Sequence, residues 1–310
     1  MTSNIHIKDP TFRNYNSEDA AKFAKSRLSY SSALYDAIIK YHTTSGQFDT
    51  LLDVGCGSGA ATRDLGHYFS HAKGIDPGQE LILQARKLGG QTKSGEAISY
   101  DVHGAEDLAS GFEPGSIDML SAGMAAHWFD MRAFWVNAAK VVKTGGTVAL
   151  FTQSSLYCHP STAAAEEVQR ILTHLEDDIL GEHELESNKL SRNMYDKLTL
   201  PWQVDVPEFP QETFQRHEWN RDGKLDVGET YFFGGSEYDT LEKLAQSLGT
   251  ASMVTRWRTA NAHSAGTDAD CVTLTMANIA KAMGNDSEDF GKTKIRTGSS
   301  TTLLLFTRVK

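Results

Sequence analysis

The chain has 310 residues, 40% of them apolar and 23% charged, with a formal net charge of −10. A chain of this size and balance can bury a core without disulfides or structural metal, which excludes a disordered chain, a collagen-like fibre and a small disulfide scaffold. The negative balance gives no general attraction to phosphate backbones or anionic membranes, so neither nucleic acid nor a membrane is expected as a partner. Cys56, Cys158 and Cys271 are odd in number, far apart and form no CxxC pair, so neither a disulfide framework nor a metal site is expected. The N-terminal stretch MTSNIHIKDPTF has no apolar secretory core, and no apolar run approaches the ~18 residues of a membrane span, so the expected location is cytoplasmic.

In chain order, residues 17–42 read as helical, with Leu34, Ile38 and Tyr41 on one stripe. Residues 50–54 read as a strand that breaks into Gly55-Cys56-Gly57-Ser58-Gly59. A helix follows over 60–69, then a second strand over 71–76 that ends at Asp76. Next come a helix over 78–88, strands over 99–102 and 116–122, a helix over 130–142 and a fifth strand over 147–151. This alternation predicts a parallel sheet with right-handed crossovers.

Beyond residue 152 the alternation stops. Residues 161–180 carry one helical stripe, Val168, Ile171, Leu172, Leu175 and Ile179, and the acidic run from Glu176 to Glu186 reads as a solvated face. Strand-like segments return at 213–219 and 229–233, helices at 236–248 and 268–283, and a last strand at 301–309. The fold class expected is α/β: a doubly wound, mainly parallel seven-stranded sheet with a helical cap inserted after the fifth strand. The expected divisions are N-terminal lid helices over 1–48, a ligand-binding core over 49–155, a substrate cap over 156–235 and the C-terminal part of the core over 236–310.

The glycine loop is the strongest signal. It follows a strand and opens a helix, and its glycines let the backbone approach a ligand closely. Asp76 ends the second strand, where a carboxylate can take both hydroxyls of a ribose. Gly55-x-Gly57-x-x-Ala60 also satisfies a looser dinucleotide fingerprint. Against a pyrophosphate, the carboxylate of Asp53 just before the loop is unhelpful. It suits a ligand with a cationic amine and sulfonium and no phosphate, namely S-adenosylmethionine.

Asp53 to Gly59 resembles the first motif of the class I S-adenosylmethionine-dependent methyltransferases, and Asp76 matches their ribose acid. Ala126-His127-Trp128-Phe129-Asp130, Ser191-Arg192-Asn193-Met194, Trp257 and the Phe23 to Tyr30 stretch are similar to segments of the fungal trans-aconitate methyltransferases. The resemblance implies a cofactor site of Asp53, Gly55, Cys56, Gly57, Gly59, Asp76, Ala105, Glu106, Ala122, His127 and Trp128. The family's adenine acid falls here on Gly104, which leaves Glu106 or the Ala105 backbone to serve.

The implied reaction transfers a methyl group to a small-molecule acceptor. A carboxylate acceptor needs no base, whereas an alcohol or phenol benefits from one. His127 is the candidate base, or else walls the methionine end with Trp128. Arg27, Tyr30, Arg192 and Trp257, together with Arg258, are candidates for the acceptor, because planar guanidinium forks suit a carboxylate. Gly181-Glu182-His183-Glu184 replaces an aromatic segment of the trans-aconitate enzymes and adds carboxylates that would repel a polyanion. A carboxylate acceptor is the first expectation. Hydroxyl-directed O-methylation and a non-catalytic cofactor-binding role are the alternatives.

Overall fold

The structure is a computed structural model that describes residues 11–26, 30–235, 239–285, 287 and 289–309. Two helices, α1 (Ser17–Ser26) and α2 (Ser32–His42), precede the sheet, where the sequence pattern predicted a single helical run. There follow β1 (Thr50–Val54), α3 (Ala60–Gly66), β2 (His71–Asp76), α4 (Gln79–Leu88), β3 (Ser99–Val102) and α5 (Leu108–Gly111). Then come β4 (Ile117–Gly123), α6 (Met131–Val141), β5 (Val142–Cys158), α7 (Ala165–His174), α8 (Glu186–Arg192) and β6 (Gln215–Trp219). The chain closes with β7 (Asp239–Thr240), α9 (Leu241–Leu248), α10 (Ser252–Ala260), α11 (Cys271–Ala282), β8 (Lys294–Ile295) and β9 (Thr297–Thr307).

Seven strands form one sheet in the order β3-β2-β1-β4-β5-β9-β6. The first five run parallel, while β9 is antiparallel to β5 and β6 is antiparallel to β9. Alternation along the central strands sends Leu51, Met119, Ala149 and Leu303 to one face, where they pack with Leu34 and Ile38 of α2 and Leu65 of α3. Leu52, Leu120, Val148 and Leu304 go to the other face, against Phe134, Trp135 and Ala138 of α6. Both faces are thus covered, as a parallel sheet requires.

A third core joins Val168 and Leu172 of α7, Leu241 and Leu244 of α9, Val254 of α10, and Val272, Met276 and Ile279 of α11. This helical layer stands in the place of the expected cap, and it draws on chain both before and after β6. The expected cap over 156–235 is therefore redrawn. Residues 215–219 are the edge strand of the main sheet, 229–233 form no strand, and α9 to α11 belong with α7. Among the described residues, no helix is long and apolar enough to cross a membrane.

Candidate active site

The strand order reverses between β1 and β4, and at such a switch point the carboxyl ends of the strands leave a crevice. Here the crevice is a cavity of about 440 Å³ that runs from the glycine loop to the cap. Gly55, Gly57 and Gly59 have φ of 68°, 54° and 81°, the left-handed region that side chains rarely adopt. A Cβ on Gly55 would stand 2.5 Å from that of Ala125, while one on Gly57 would meet only the Phe23 ring, at 3.4 Å. Gly57 thus presents bare backbone to the cavity.

Asp76 ties β2 to this loop: Gly57 N–H donates to Oδ2 (3.0 Å) and Gly78 N–H to Oδ1 (2.7 Å). Burial raises its pKa, against the pull of those amides. Asp53 is fully buried at the end of β1 and accepts from Thr62 Oγ1 (2.6 Å) and Ser121 Oγ (2.7 Å). Burial pushes its carboxyl up to about 6, although both hydroxyls oppose the shift. Burial, with Asp76 and Asp53 nearby, also pushes the Cys56 thiol up.

The charged walls at this end are Asp53, Asp76 and Glu106 against Arg13. A bare glycine backbone, a buried carboxylate at the second strand end and a net negative wall fit a ribose diol and a cationic group. They do not fit a pyrophosphate.

After β4, Met124 takes φ 53°, and its Sδ accepts from Gln153 N–H (2.9 Å) and Thr152 Oγ1 (3.1 Å). The next turn brings His127 and Trp128 to the cavity, ring centroids 4.9 Å apart. His127 is buried, with Nδ1 3.0 Å from Tyr195 Oη. Tyr195 and the preceding Met194 have φ of 62° and 53°, so two consecutive left-handed residues turn this phenol under the imidazole. Burial raises the Tyr195 pKa. Phe12 packs edge-on against Trp128 (5.9 Å) and Phe23 (5.8 Å), which sets an aromatic N-terminal segment over the loop.

Of the residues singled out from sequence, Asp53, Gly55, Cys56, Gly57 and Asp76 line the cavity. Ala105, Glu106, His127, Trp128, Tyr30 and Arg192 line it as well. Three do not. Gly59 is the left-handed residue that starts α3, and Ala122 is buried within β4, where Gly123, Met124 and Ala125 face the cavity instead. Trp257 packs on the cap core. Arg258 is also elsewhere, paired with buried Asp270 (2.7 Å). Arg27 lies outside the described residues.

Arg192 faces the cavity but is already engaged. Glu176 and Glu184 each approach it at 3.5 Å, and Asp177 is in closer contact. Burial works against its charge, yet these acids outweigh that and raise its pKa. The acidic run from Glu176 is therefore not simply a solvated face: Glu176 and Glu184 form cavity wall, because α7 and the turns after it fold over the end of β5. Burial raises the Glu176 pKa, opposed by Arg192. Sequence reasoning also missed Phe12, Tyr195 and Ser154. Only Tyr195 had a nearby signal, the Ser191 to Met194 segment.

Residues 52–150 match the methyltransferase domain family. The Saccharomyces cerevisiae protein CRG1, assigned as an S-adenosylmethionine-dependent methyltransferase, is 30% identical over 43% of this chain and 45% of its own length. The ubiquinone biosynthesis O-methyltransferase of Xanthomonas euvesicatoria is 29% identical over 60% of this chain and 82% of its own. The chain spans less than half the length of the first relatives it matches. A structure from Anaeromyxobacter dehalogenans assigned to the type II methyltransferases shares the fold with a TM-score of 0.60 and 23% identity, covering 91% of this chain and 98% of its own. Phosphoethanolamine N-methyltransferase 2 of Haemonchus contortus, with S-adenosylmethionine bound, has a TM-score of 0.50 at 14% identity, covering 98% of this chain and 60% of its own. The strand-order reversal and the glycine loop thus fall within residues 52–150, the part of the chain that matches the methyltransferase domain family.

Proposed function

We propose that the whole chain is an S-adenosylmethionine-dependent methyltransferase whose acceptor is a small molecule with an apolar body. The observation that carries this is the single cavity joining Asp76 and Gly57 to His127 and then to Leu172, Leu175 and Val254 of the cap. S-adenosylmethionine supplies a methyl group already activated on a sulfonium. Asp76 would hold its ribose, the Ala105–Glu106 turn its adenine end, and Met124, His127 and Trp128 its methionine end. The protein's remaining task is to seat the acceptor atom and to exclude water.

A carboxylate acceptor of the trans-aconitate type is disfavoured, because the Arg192 fork is committed to three acids of the protein itself. A hydroxyl acceptor fits better, and the His127–Tyr195 contact favours it. If Nδ1–H donates to Tyr195 Oη, the lone pair sits on Nε2, where a base needs it. The O-methyltransferase relative supports the same choice. The test is transfer of a labelled methyl group to matched aromatic alcohols, phenols and polycarboxylic acids. Label in the hydroxyl compounds is the expected result, and transfer confined to the acids would refute it.

A further inference from the structure

We propose that the acceptor site recognises a basic nitrogen: Glu184 receives the N–H of an acceptor's ammonium group while its apolar body lies against the cap. This rests on the methyltransferase reading above and names the class of molecule the site takes.

Glu184 follows the turn Gly181–His183, and its side chain is only 9% exposed. Its Oε2 reaches Arg192 Nη1 at 3.5 Å, beyond the ~2.7–2.9 Å of a strong charge-assisted bond. Its Oε1 is buried and has no hydrogen-bond partner among the described residues. Arg192 does not remedy this, since its closest contact is Asp177, nearer the surface. Glu176, the other acid of this wall, already accepts from Ser155 Oγ (3.0 Å). Arg256, on α10, donates to the His183 carbonyl (2.8 Å) and to Asn188. Among the described residues, the ion pairs of Glu176, Asp177 and Glu184 all run to one guanidinium, that of Arg192.

A buried carboxylate oxygen left without a donor is costly, and a ligand N–H that supplies one recovers that cost on binding. Ser154 Oγ, on β5 and lining the same cavity, is likewise buried without a partner among the described residues. Leu172, Leu175, Leu180, Met253 and Val254 line the same end of the cavity and supply the apolar surface. An anion here would meet the unbalanced charge of Glu176 and Glu184, whereas an ammonium would be drawn to it.

The test uses three probes with one phenyl body: 2-phenylethylamine, 2-phenylethanol and 3-phenylpropionate. Each is titrated calorimetrically into the full chain saturated with S-adenosylhomocysteine. The amine should bind at least ~10-fold more tightly than the alcohol, and the acid should bind most weakly. In Glu184→Gln the amine and alcohol should bind about equally. Binding of S-adenosylhomocysteine, titrated beforehand into the wild-type and Glu184→Gln proteins without probe, reports separately on the methyltransferase reading and on folding. The proposal is overturned if the wild-type protein with S-adenosylhomocysteine bound takes the acid as well as the amine, or takes none of the three. It is also overturned if the amine preference survives in Glu184→Gln.

Discussion

Asp76 spends one lone pair of each oxygen on the backbone amides of Gly57 and Gly78, which fixes the carboxylate at the mouth of the glycine loop. Asp76→Ala is expected to weaken S-adenosylhomocysteine binding by about 1.5–3 kcal/mol, the range for hydrogen bonds to a charged group, measured calorimetrically. Asp53 carries a pH signature. Its carboxyl titrates near its ordinary 3.8 unfolded and near 6 in the fold, so the folded state holds the proton more tightly. The stability it contributes is complete below pH 4 and is lost as pH rises through 6. Asp53→Asn should therefore gain about 2–3 kcal/mol on the wild-type protein between pH 4 and pH 7.5, read by urea unfolding at both values. An equal difference at the two pH values would contradict this. In the proposed reaction Tyr195 positions His127 through the contact of its hydroxyl with Nδ1. With a hydroxyl acceptor, His127→Ala should slow transfer ~10²-fold or more. Tyr195→Phe should move the acidic limb of the pH–rate profile while cofactor affinity stays unchanged.

These residues differ in how far the sequence announces them. The glycine loop and Asp76 are legible because left-handed backbone demands glycine and because the acid closes a strand of readable length. Tyr195 and Glu184 act through contacts with residues 68 and 8 positions away respectively, and no local pattern encodes that.

At the scale of elements, the parallel strands were legible as apolar runs that end in turns. The edge strand β6 was read into the cap because its half-exposed sequence, Gln215 to Trp219, says nothing about which sheet it joins. Only its antiparallel register with β9 decides that. Helix α10 was missed because it buries just Ser252 and Val254 and so shows no stripe. Beside Val254 in the core and Trp257 packed on it, its attachment is also polar. Arg258 of α10 pairs with Asp270, which is fully buried and caps α11 by accepting from Val272 N–H (2.9 Å). Arg258 is one-third exposed, and Asp270 keeps the amides of Gly266 and Val272, so Arg258→Ala should lower stability by about 1–2 kcal/mol, read by chemical unfolding. Because the pair lies on the cap and not in the glycine loop, S-adenosylhomocysteine affinity should change far less than acceptor affinity.

At the scale of the whole molecule, a doubly wound sheet opens its carboxyl edge toward a cap built from two separated stretches of chain. One cavity spans the join. Its cofactor end is acidic, buried and bare-backboned, and its far end is apolar with an under-satisfied carboxylate. That division is what the proposed reaction requires, with the cofactor held by the core and the acceptor by the helices after β5. The most direct measurement is a calorimetric titration of the full chain with S-adenosylmethionine, S-adenosylhomocysteine and NADH. Both sulfur ligands should bind with dissociation constants of roughly micromolar order, near −8 kcal/mol, and NADH should not bind. Binding of NADH with no response to either sulfur ligand would contradict the assignment.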